Sequence, residues 1–572
     1  MADKSRQMNP YPLGAQSAEG GVRMSFVSAK ENCGVILYDK KSGETVRKIS
    51  FKEADKMGRI RYGWIDNVSA GKVLYQLYEE DKVMADPCGS FFSGQSAYGM
   101  PREDKDLKAG FLSSEYDWNN DERPCIPYED CVCYCMHVRG FTRHASSGVK
   151  HKGTFRGITE KIFYLKELGI TTVELQPAYE FIEREPEPIK CGAGNSEQLK
   201  LNYWGYKVGY YYAPKAAYAS GTDPVCEFRD MVKVFHDNQM EMIMQFYFPG
   251  ELSGLEICDI LRYWAFQYHV DGFHLIGENL PLKQISEDPG LADCKLWFDN
   301  IDWNGQENKG DYRHLAVYRD DYQNDMRRFL KGDADMLHAA CYQMRTDYEG
   351  YGKINFFSNY YGFTMMDMVS YNDKHNEENG ENNRDGSNYN QSWNCGAEGE
   401  TRKRQVTTLR RKQYKNAMSM LFCSQGTPLI FMGDEFGNSQ MGNNNPYCQD
   451  NEIAWLNWKD LERNEDLYEF TAELIQLRKN HPVLHTGRQL KLTDYLSVGY
   501  PELSYHGAEA WHPSMNGCDR QIGMMYCGKY AKTAGDRDDD FLYLALNMHW
   551  EEKNFALPKL PNGMKWELLY MT

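Results

Sequence analysis

The central part of the sequence alternates short apolar β-type runs with amphipathic helical segments, and this alternation constrains the fold more than any other feature. A strand starts at Cys131, helical spacing of apolar residues follows until Gly169, and a second strand occupies residues 170–175. Two further units end in strands at residues 242–248 and 269–276. Repeated units of this length predict an α/β fold, and residues 126–480 provide enough of them for a (β/α)8 TIM barrel.

The sequence on both sides of this region predicts antiparallel β structure. Residues 1–125 contain short apolar runs, such as 35–39 and 73–77, separated by glycine, asparagine and aspartate. Residues 481–572 return to short strands, for example at 541–546. We therefore expect an N-terminal β-sandwich (1–125), the barrel (126–480) and a C-terminal all-β sandwich (481–572).

Composition narrows the class of partner. Lys and Arg number 65 and Asp and Glu 82, and the resulting charge of −17 opposes binding to a phosphate backbone. No apolar run reaches the roughly 18 residues of a membrane span, and the N-terminus carries no apolar signal-peptide core. The 16 cysteines are scattered, which is typical of reduced thiols. We expect a cytoplasmic protein that binds neither nucleic acid nor a membrane.

The cysteines also bear on cofactors. Cys131, Cys133 and Cys135 alternate along one strand, but no second Cys or His cluster with zinc spacing completes a metal site. The sequence therefore predicts no cofactor, and it leaves a bound calcium ion open.

An asparagine-rich segment lies late in the barrel region. Eight of the 24 residues from 372 to 395 are asparagine. Low complexity is typical of disorder, but His375, Tyr389 and Trp393 are interspersed among the asparagines. We therefore expect an ordered functional loop.

Five segments of the barrel region carry a family resemblance: Met136 through Thr142, Asn202 through Tyr206, Asn372 through Gly396, Met432 through Gly437, and Gly442 through Asn445. They resemble the first strand, the aromatic substrate loop, the loop after strand seven and the segment after strand eight of isoamylase-type glycogen debranching enzymes. These enzymes belong to glycoside hydrolase family 13, in the α-amylase clan. The resemblance covers roughly residues 130–480 and implies a role in starch or glycogen metabolism, with an N-terminal sandwich of the glycogen-binding type.

The same resemblance places residues without glycosidase chemistry at the family's catalytic positions. A retaining glycosidase needs a nucleophile and an acid/base carboxyl about 5–5.5 Å apart. Ile276 holds the nucleophile position, and His274 holds that of a supporting arginine. Asp299 aligns with the acid/base, while Tyr361 and Tyr360 fall on the third carboxylate and the histidine before it. The polar residues that follow from strand three are replaced by Gln245, Pro249 and Gly250.

These replacements predict a catalytically inactive member, a pseudoenzyme that serves as an α-glucan-binding protein or as a partner or regulatory subunit. The expected partners are glycogen, amylopectin or a maltooligosaccharide, together with an active debranching paralogue or a second copy of the chain. The predicted substrate-binding residues are Tyr203, Trp204, Tyr206, His274, Tyr360, His375, Asn376 and Trp393. The alternative for the aromatic residues among them is that they only pack the loops.

Two other interpretations stay open. The chain could be an active α-1,6-glucosidase with relocated carboxylates, because Glu278 lies two residues past Ile276 and would face the same side of an extended strand. Asp299 would then be its partner acid, although Gly277 and Asn279 indicate that the strand has already turned. The chain could also be a structural or regulatory subunit without glucan affinity, in which hydrophobic and tyrosine side chains fill the former pocket.

Overall fold

The computed structural model describes residues 9–18, 20–52, 55–69, 71–93, 97–112, 116–185, 200–301 and 313–572. In chain order, its strands are β1 (Gly14–Ala18), β2 (Gly21–Val27), β3 (Cys33–Asp39), β4 (Thr45–Ser50), β5 (Lys56–Met57), β6 (Ile60–Asp66), β7 (Val73–Glu79), β8 (Lys82–Met84), β9 (Phe92–Ser93), β10 (Lys108–Ala109), β11 (Cys133–Met136), β12 (Thr172–Leu175), β13 (Tyr179–Glu180), β14 (Tyr210–Pro214), β15 (Glu241–Phe248), β16 (Gly272–Gly277), β17 (Lys295–Phe298), β18 (Leu315–Tyr318), β19 (Gly352–Asn355), β20 (Thr427–Phe431), β21 (Leu503–His506), β22 (Gln521–Tyr526) and β23 (Leu542–Asn547).

The α-helices are α1 (Val138–Arg143), α2 (Phe155–Thr159), α3 (Ile162–Leu168), α4 (Pro224–Asp237), α5 (Gly254–Gln267), α6 (Leu282–Ser286), α7 (Asp320–Leu330), α8 (Leu337–Arg345), α9 (Arg404–Phe422), α10 (Lys459–Arg463) and α11 (Glu465–Asn480). None of the helices in the described ranges combines the length and the apolarity that a membrane span requires.

Eight parallel strands form a closed barrel at the centre of the chain. Their order is β11-β12-β15-β16-β17-β18-β19-β20, and the last strand returns to pair with the first, with Leu429 opposite Cys133. Consecutive barrel strands run parallel, and the chain between them supplies the crossovers that such pairing requires. The predicted TIM barrel is confirmed, and the carboxyl ends of its strands meet at one mouth.

Helices α2 and α3 illustrate how the sequence builds the outer layer. Ile158, Ile162, Leu165 and Leu168 lie on the face toward the barrel and are buried, as their spacing predicts. Each such side chain stabilises the fold by about 1.5–3 kcal/mol relative to exposure. The chain ends α3 at Gly169, which adopts φ 95° in the left-handed region that favours glycine.

The N-terminal region forms two antiparallel sheets that face each other. One sheet has the order β1-β2-β6-β5, and the other has the order β4-β3-β7-β10-β9 with β8 beside β7. Their inner faces share a separate core that includes Met24, Val35 and Leu77. Ala213 of β14 belongs to this core. The sandwich therefore packs against the segment that the chain inserts between the barrel strands β12 and β15.

The C-terminal region contains one three-stranded antiparallel sheet, β21-β22-β23. Side chains alternate along β22: Ile522, Met524 and Tyr526 join the barrel core, whereas Met525 faces an outer cluster that Trp566 covers. The predicted β structure of this region is confirmed. Its second layer is irregular chain rather than another sheet, because residues 548–572 form no strand.

Gly272 allows the barrel strands β16 and β17 to approach closely. A Cβ atom at this position would lie 2.4 Å from the carbonyl oxygen of Lys295 and 2.6 Å from Cδ1 of Ile243. We expect Gly272→Ala to lower the free energy of unfolding by about 1–3 kcal/mol, because overpacking displaces the strands. The measurement is the midpoint of urea denaturation.

The matched control is Gly221→Ala. A Cβ there meets no heavy atom of the described residues within 4 Å. This variant is expected to stay within about 0.5 kcal/mol of the wild type. Equal midpoints for the two variants would contradict the close approach at Gly272.

Candidate functional site

The carboxyl end of β16 presents an aliphatic side chain to the barrel mouth. Ile276 is paired with Tyr247 of β15 and is half-buried against the barrel core. An aliphatic group has no lone pair and no exchangeable proton, so this strand end offers neither a nucleophile nor an acid.

A buried chain of polar side chains crosses the barrel interior directly below this residue. His274 Nδ1 lies 2.6 Å from Oε1 of Glu174, and both side chains are fully buried. The amide of Gln245 donates to the same carboxylate oxygen at 2.7 Å, and its own oxygen accepts from the hydroxyl of Tyr206 at 2.5 Å. On the other side, His274 Nε2 is 3.5 Å from Asp299. The chain of contacts therefore links β12, β15, β16 and the end of β17.

The carboxylates hold His274 in its charged form at neutral pH. Burial alone lowers the pKa of this imidazole, but its hydrogen bonds with Asp299 and Glu174 raise the pKa to about 9. Glu174 is the stronger partner, because its contact is shorter and the Asp299 side chain is 67% exposed. The ring of Tyr318 lies 4.3 Å from the imidazole, which adds a favourable cation–π contact.

Four aromatic side chains, which we name the mouth aromatics, occupy the space above this pair: Trp204, Tyr206, Tyr360 and Tyr361. Ring centroids are 5.3 Å apart for Tyr206 and Tyr360, 4.9 Å for Tyr360 and Tyr361, and 6.0 Å for Trp204 and Tyr360. The hydroxyl of Tyr361 donates to Asp320 at the start of α7. The position that family resemblance assigns to a third carboxylate therefore holds a phenol that is bound to a neighbouring carboxylate.

A buried arginine fixes the chain segment that carries two of these tyrosines. The guanidinium of Arg327 donates to the carbonyl oxygens of Phe357, Phe363 and Asn390 at 2.7, 2.9 and 3.0 Å. Two of these acceptors flank Tyr360 and Tyr361, and the third belongs to the asparagine-rich loop. Arg327 thus ties the mouth to that loop.

Five of the predicted substrate-binding residues are buried in this conformation: Tyr203, Trp204, His274, Tyr360 and Asn376. Their role in binding stays a prediction. The ring of Tyr203 stacks on His137 with ring centroids 4.1 Å apart. The amide of Asn376 donates to the Asp385 carbonyl and to Asn444, and its oxygen accepts from the backbone of Asn444. These side chains hold the framework, and in this conformation they present no surface to a sugar.

The asparagine-rich loop is ordered by hydrogen bonds from asparagine side-chain amides, which take the place of the backbone pairing of a helix or sheet. Asn383 donates to the Lys374 carbonyl, and Asn444 donates to the Ser387 carbonyl and to Asn390. Asn382 and Asn383 have φ values of 53° and 56°, a region that asparagine tolerates better than most residues. The abundance of asparagine therefore reflects loop architecture.

This loop also presents accessible rings. Tyr389 is 83% exposed and Trp393 is 37% exposed. His375 is half-exposed, and its Nε2 lies 3.2 Å from Glu398. Of the predicted sugar contacts, Trp393 and His375 are therefore the accessible ones, whereas Trp204, Tyr206 and Tyr360 pack on one another.

Glu278 lies beyond a turn rather than on an extended strand. Strand β16 ends at Gly277, where a Cβ would come within 2.1 Å of the Phe248 carbonyl oxygen. Asn279 has φ 57°, and Glu278 between these two residues is exposed. The turn that Gly277 and Asn279 predict is present, so Glu278 does not continue the face of Ile276.

The carboxyls near the mouth can accept hydrogen bonds from hydroxyl groups. Burial raises the pKa of Asp320, the Tyr361 hydroxyl opposes this shift, and the negative charge of Asp299 adds to it. Within the described ranges, no three His, Cys, Asp or Glu side chains come together in an arrangement that could ligate a metal ion.

Sequence reasoning missed Glu174, Tyr318 and Asp320. Glu174 did carry a signal, because it is a charged residue inside the apolar strand Thr172–Leu175. A charge at such a position is expected to be paired. Tyr318 and Asp320 carried none, since their roles depend on contacts with His274 and Tyr361 from other strands.

The closed eight-stranded barrel and its flanking antiparallel sheets define a (β/α)8-barrel protein with additional β domains. No protein-family model matches the chain. The "Glycogen operon protein GlgX homolog" of Mycobacterium tuberculosis is 30% identical to it, over 98% of this chain and 92% of that protein. "Isoamylase 3, chloroplastic" of Oryza sativa subsp. japonica is also 30% identical, over 97% of this chain and 82% of that protein. The chain belongs to the isoamylase and GlgX family of glycoside hydrolase family 13 debranching enzymes, which confirms the family predicted from sequence.

Solved structures share the fold. A product complex of the glycogen-degrading pneumococcal virulence factor SpuA aligns with TM-score 0.72 at 15% identity, over 97% of this chain and 66% of that chain. A pullulanase from Paenibacillus barengoltzii, in complex with maltohexaose and α-cyclodextrin, aligns with TM-score 0.66 at 18% identity, over 95% of this chain and 89% of that chain.

The pairing of His274 with Glu174 is testable by a double-variant cycle. We expect His274→Gln to lower the free energy of unfolding by about 3–5 kcal/mol, because it leaves the buried Glu174 carboxylate without its cation. Adding Glu174→Gln removes the second charge and is expected to recover most of this loss. Urea denaturation at pH 7 measures both. Equal losses in the single and the double variant would contradict the pairing.

The same pair has a pH signature. The pKa of His274 in the folded chain, about 9, lies above its ordinary value of 6.5, so the stabilisation is complete below pH 6.5 and is lost as the pH rises through 9. We expect the wild type to lose roughly 3 kcal/mol more than the double variant over this interval. Parallel pH profiles for the two proteins would contradict a charged His274.

Proposed function

We propose that this chain is a catalytically inactive debranching-enzyme relative that binds α-glucan and acts as a binding or partner subunit. The single observation that carries the proposal is Ile276, which stands on the strand end where a retaining family member needs its nucleophile. Without an attacking carboxylate, no glycosyl-enzyme bond forms, and water has no intermediate to hydrolyse.

The surroundings of Ile276 support the same proposal. His274 is engaged by Glu174 in place of a substrate-side nucleophile, and Tyr361 is engaged by Asp320. Several members of one catalytic unit are thus replaced together. Losses within such a unit are not additive, so restoring one of these residues would not restore activity while the others stay replaced.

Glucan binding is proposed from the exposed rings of the asparagine-rich loop. Trp393 and Tyr389 offer apolar faces, and His375 of the same loop offers a polar edge. Aromatic faces pack against the C–H surfaces of sugar rings, and neighbouring polar groups orient the hydroxyls. The pullulanase relative is complexed with maltohexaose and α-cyclodextrin, which supports the same ligand class for this chain.

A partner role is proposed from the packing at the mouth. The mouth aromatics pack on one another at the carboxyl end of the barrel, where a substrate would enter, so we infer that the chain provides a binding surface and no catalysis in glucan metabolism. The partner that suits this role is an active debranching paralogue or a second copy of the chain.

Affinity electrophoresis tests the glucan-binding part. In native gels that contain amylopectin or glycogen, we expect the wild type to be retarded relative to a glucan-free gel, and Trp393→Ala to lose most of that retardation. Trp550→Ala is the matched control, because Trp550 is 79% exposed and belongs to the C-terminal region rather than to the loop. Unchanged migration of the wild type would overturn glucan binding, and equal effects of the two variants would remove Trp393 from it.

Overnight incubation with amylopectin or pullulan at high protein concentration tests the absence of catalysis. We expect reducing ends at the level of the buffer blank, because the attacking carboxylate is absent. The same incubation with the Glu278→Gln variant is the second measurement. Reducing ends that rise above the blank in the wild type and disappear in Glu278→Gln would establish the active alternative with a relocated carboxylate.

A further inference from the structure

A cavity of about 460 Å³ opens at the end of the barrel opposite the mouth. Its walls are the segments that lead into β11, β17, β18 and β19, at residues 125–129, 292–295, 313–314 and 347–352. Because these strands begin there, the cavity lies at the amino end of the barrel, away from the site described above. Its volume falls within the range of roughly 300–1,000 Å³ that small-molecule sites occupy.

The charges of this amino-end cavity oppose an anionic ligand. Four carboxylates line it, and its two cationic side chains are already paired. Lys295 Nζ lies 2.5 Å from Glu241 and also donates to the Ile126 carbonyl, while Arg313 lies 3.4 Å from Glu129. An incoming anion would therefore have to displace Glu241 or Glu129 from its ion pair. The hydroxyl groups of a neutral ligand could instead donate to the carboxylates of the cavity.

Tyrosine rings form one wall of the cavity. The rings of Tyr348 and Tyr351 are stacked with centroids 4.7 Å apart and an interplanar angle of 29°, and both residues are half-exposed. Tyr128 contributes a third ring, whose hydroxyl donates to the His314 carbonyl. An aromatic wall of this kind accepts a flat, weakly polar face such as the C–H face of a sugar ring.

Asp347 supplies a buried acceptor next to these rings. Its Oδ1 accepts from the backbone N–H of Tyr348 at 2.8 Å. Burial raises the pKa of this carboxyl to about 6, so it is largely ionised at neutral pH. A buried carboxylate beside an aromatic wall is the combination that orients sugar hydroxyls.

We propose that the amino-end cavity is a second carbohydrate-binding site, which takes a neutral glucosyl unit on the Tyr348 and Tyr351 wall with its hydroxyls donating to Asp347. The preference for a neutral polyhydroxyl ligand follows from the cavity alone, whereas the choice of a glucosyl unit rests on the proposed glucan binding. With the exposed loop rings at the other end of the barrel, this site gives the chain two separate contacts for one branched polymer.

Calorimetric titration with maltotriose tests the site in the Trp393→Ala background, in which the loop contact is weakened. We expect Asp347→Asn and Tyr348→Ala each to weaken the remaining binding by about tenfold. Tyr342→Ala is the control, because Tyr342 is exposed on the adjacent helix α8 and does not line the cavity. Asp347→Asn preserves side-chain volume, so it tests the site even where Tyr348→Ala fails to fold.

Crystals of the wild type soaked in maltotriose separate this proposal from the proposed function. Sugar density against Tyr348 and Tyr351 supports the second site. Density confined to the asparagine-rich loop, or density at neither place, overturns it, while the gel experiment decides glucan binding independently.

Spermidine is the competing probe. Spermidine binding that depends on Asp347, without maltotriose binding, would make the cavity a cation site and overturn the proposal.

Discussion

The ion pair between His274 and Glu174 is the interaction on which the rest of the barrel mouth depends. It joins a cation on β16 and an anion on β12, both fully buried, across the intervening strand β15 of the barrel interior. Desolvating either charge alone would cost several kcal/mol, so each is tolerated only because the other is present. Gln245 fixes the carboxylate from one side and in turn holds the hydroxyl of Tyr206. The position of a loop aromatic is therefore set by a charge pair deep in the barrel.

This arrangement explains why isoleucine fits at position 276. A carboxylate there would add a further negative charge to a site in which Glu174 and Asp299 already share the single cation of His274. An aliphatic side chain adds no charge and packs against the core instead. The same argument applies to Tyr361. Its phenol donates to Asp320, whereas a carboxylate at position 361 would repel the Asp320 carboxylate. The replacements are mutually consistent, because each avoids a negative charge beside an existing carboxylate.

The barrel and the identity of the mouth residues could be predicted from sequence because both depend on local pattern. The periodicity of apolar residues determines strands and helices, and short motifs locate the strand ends. Burial at the mouth could not be predicted in the same way. Asn376 is buried through contacts with Asn444, which lies 68 residues further along the chain, and Tyr203 is buried by stacking on His137, 66 residues before it. The role of Glu174 could be assigned only from the fold, which places its carboxylate beside His274.

The proposed loss of catalysis also bears on where binding surface can lie on this fold. An active barrel must keep its mouth open and its carboxylates desolvated, which costs stability at the site. A member that is inactive, as proposed, is free of this constraint, and in this chain the mouth aromatics pack on one another. Exposed rings lie on the asparagine-rich loop, and the amino end of the barrel carries a cavity with its own aromatic wall. A scaffold with contacts at both ends can bridge two chains of a branched polymer, which a single catalytic cleft cannot do.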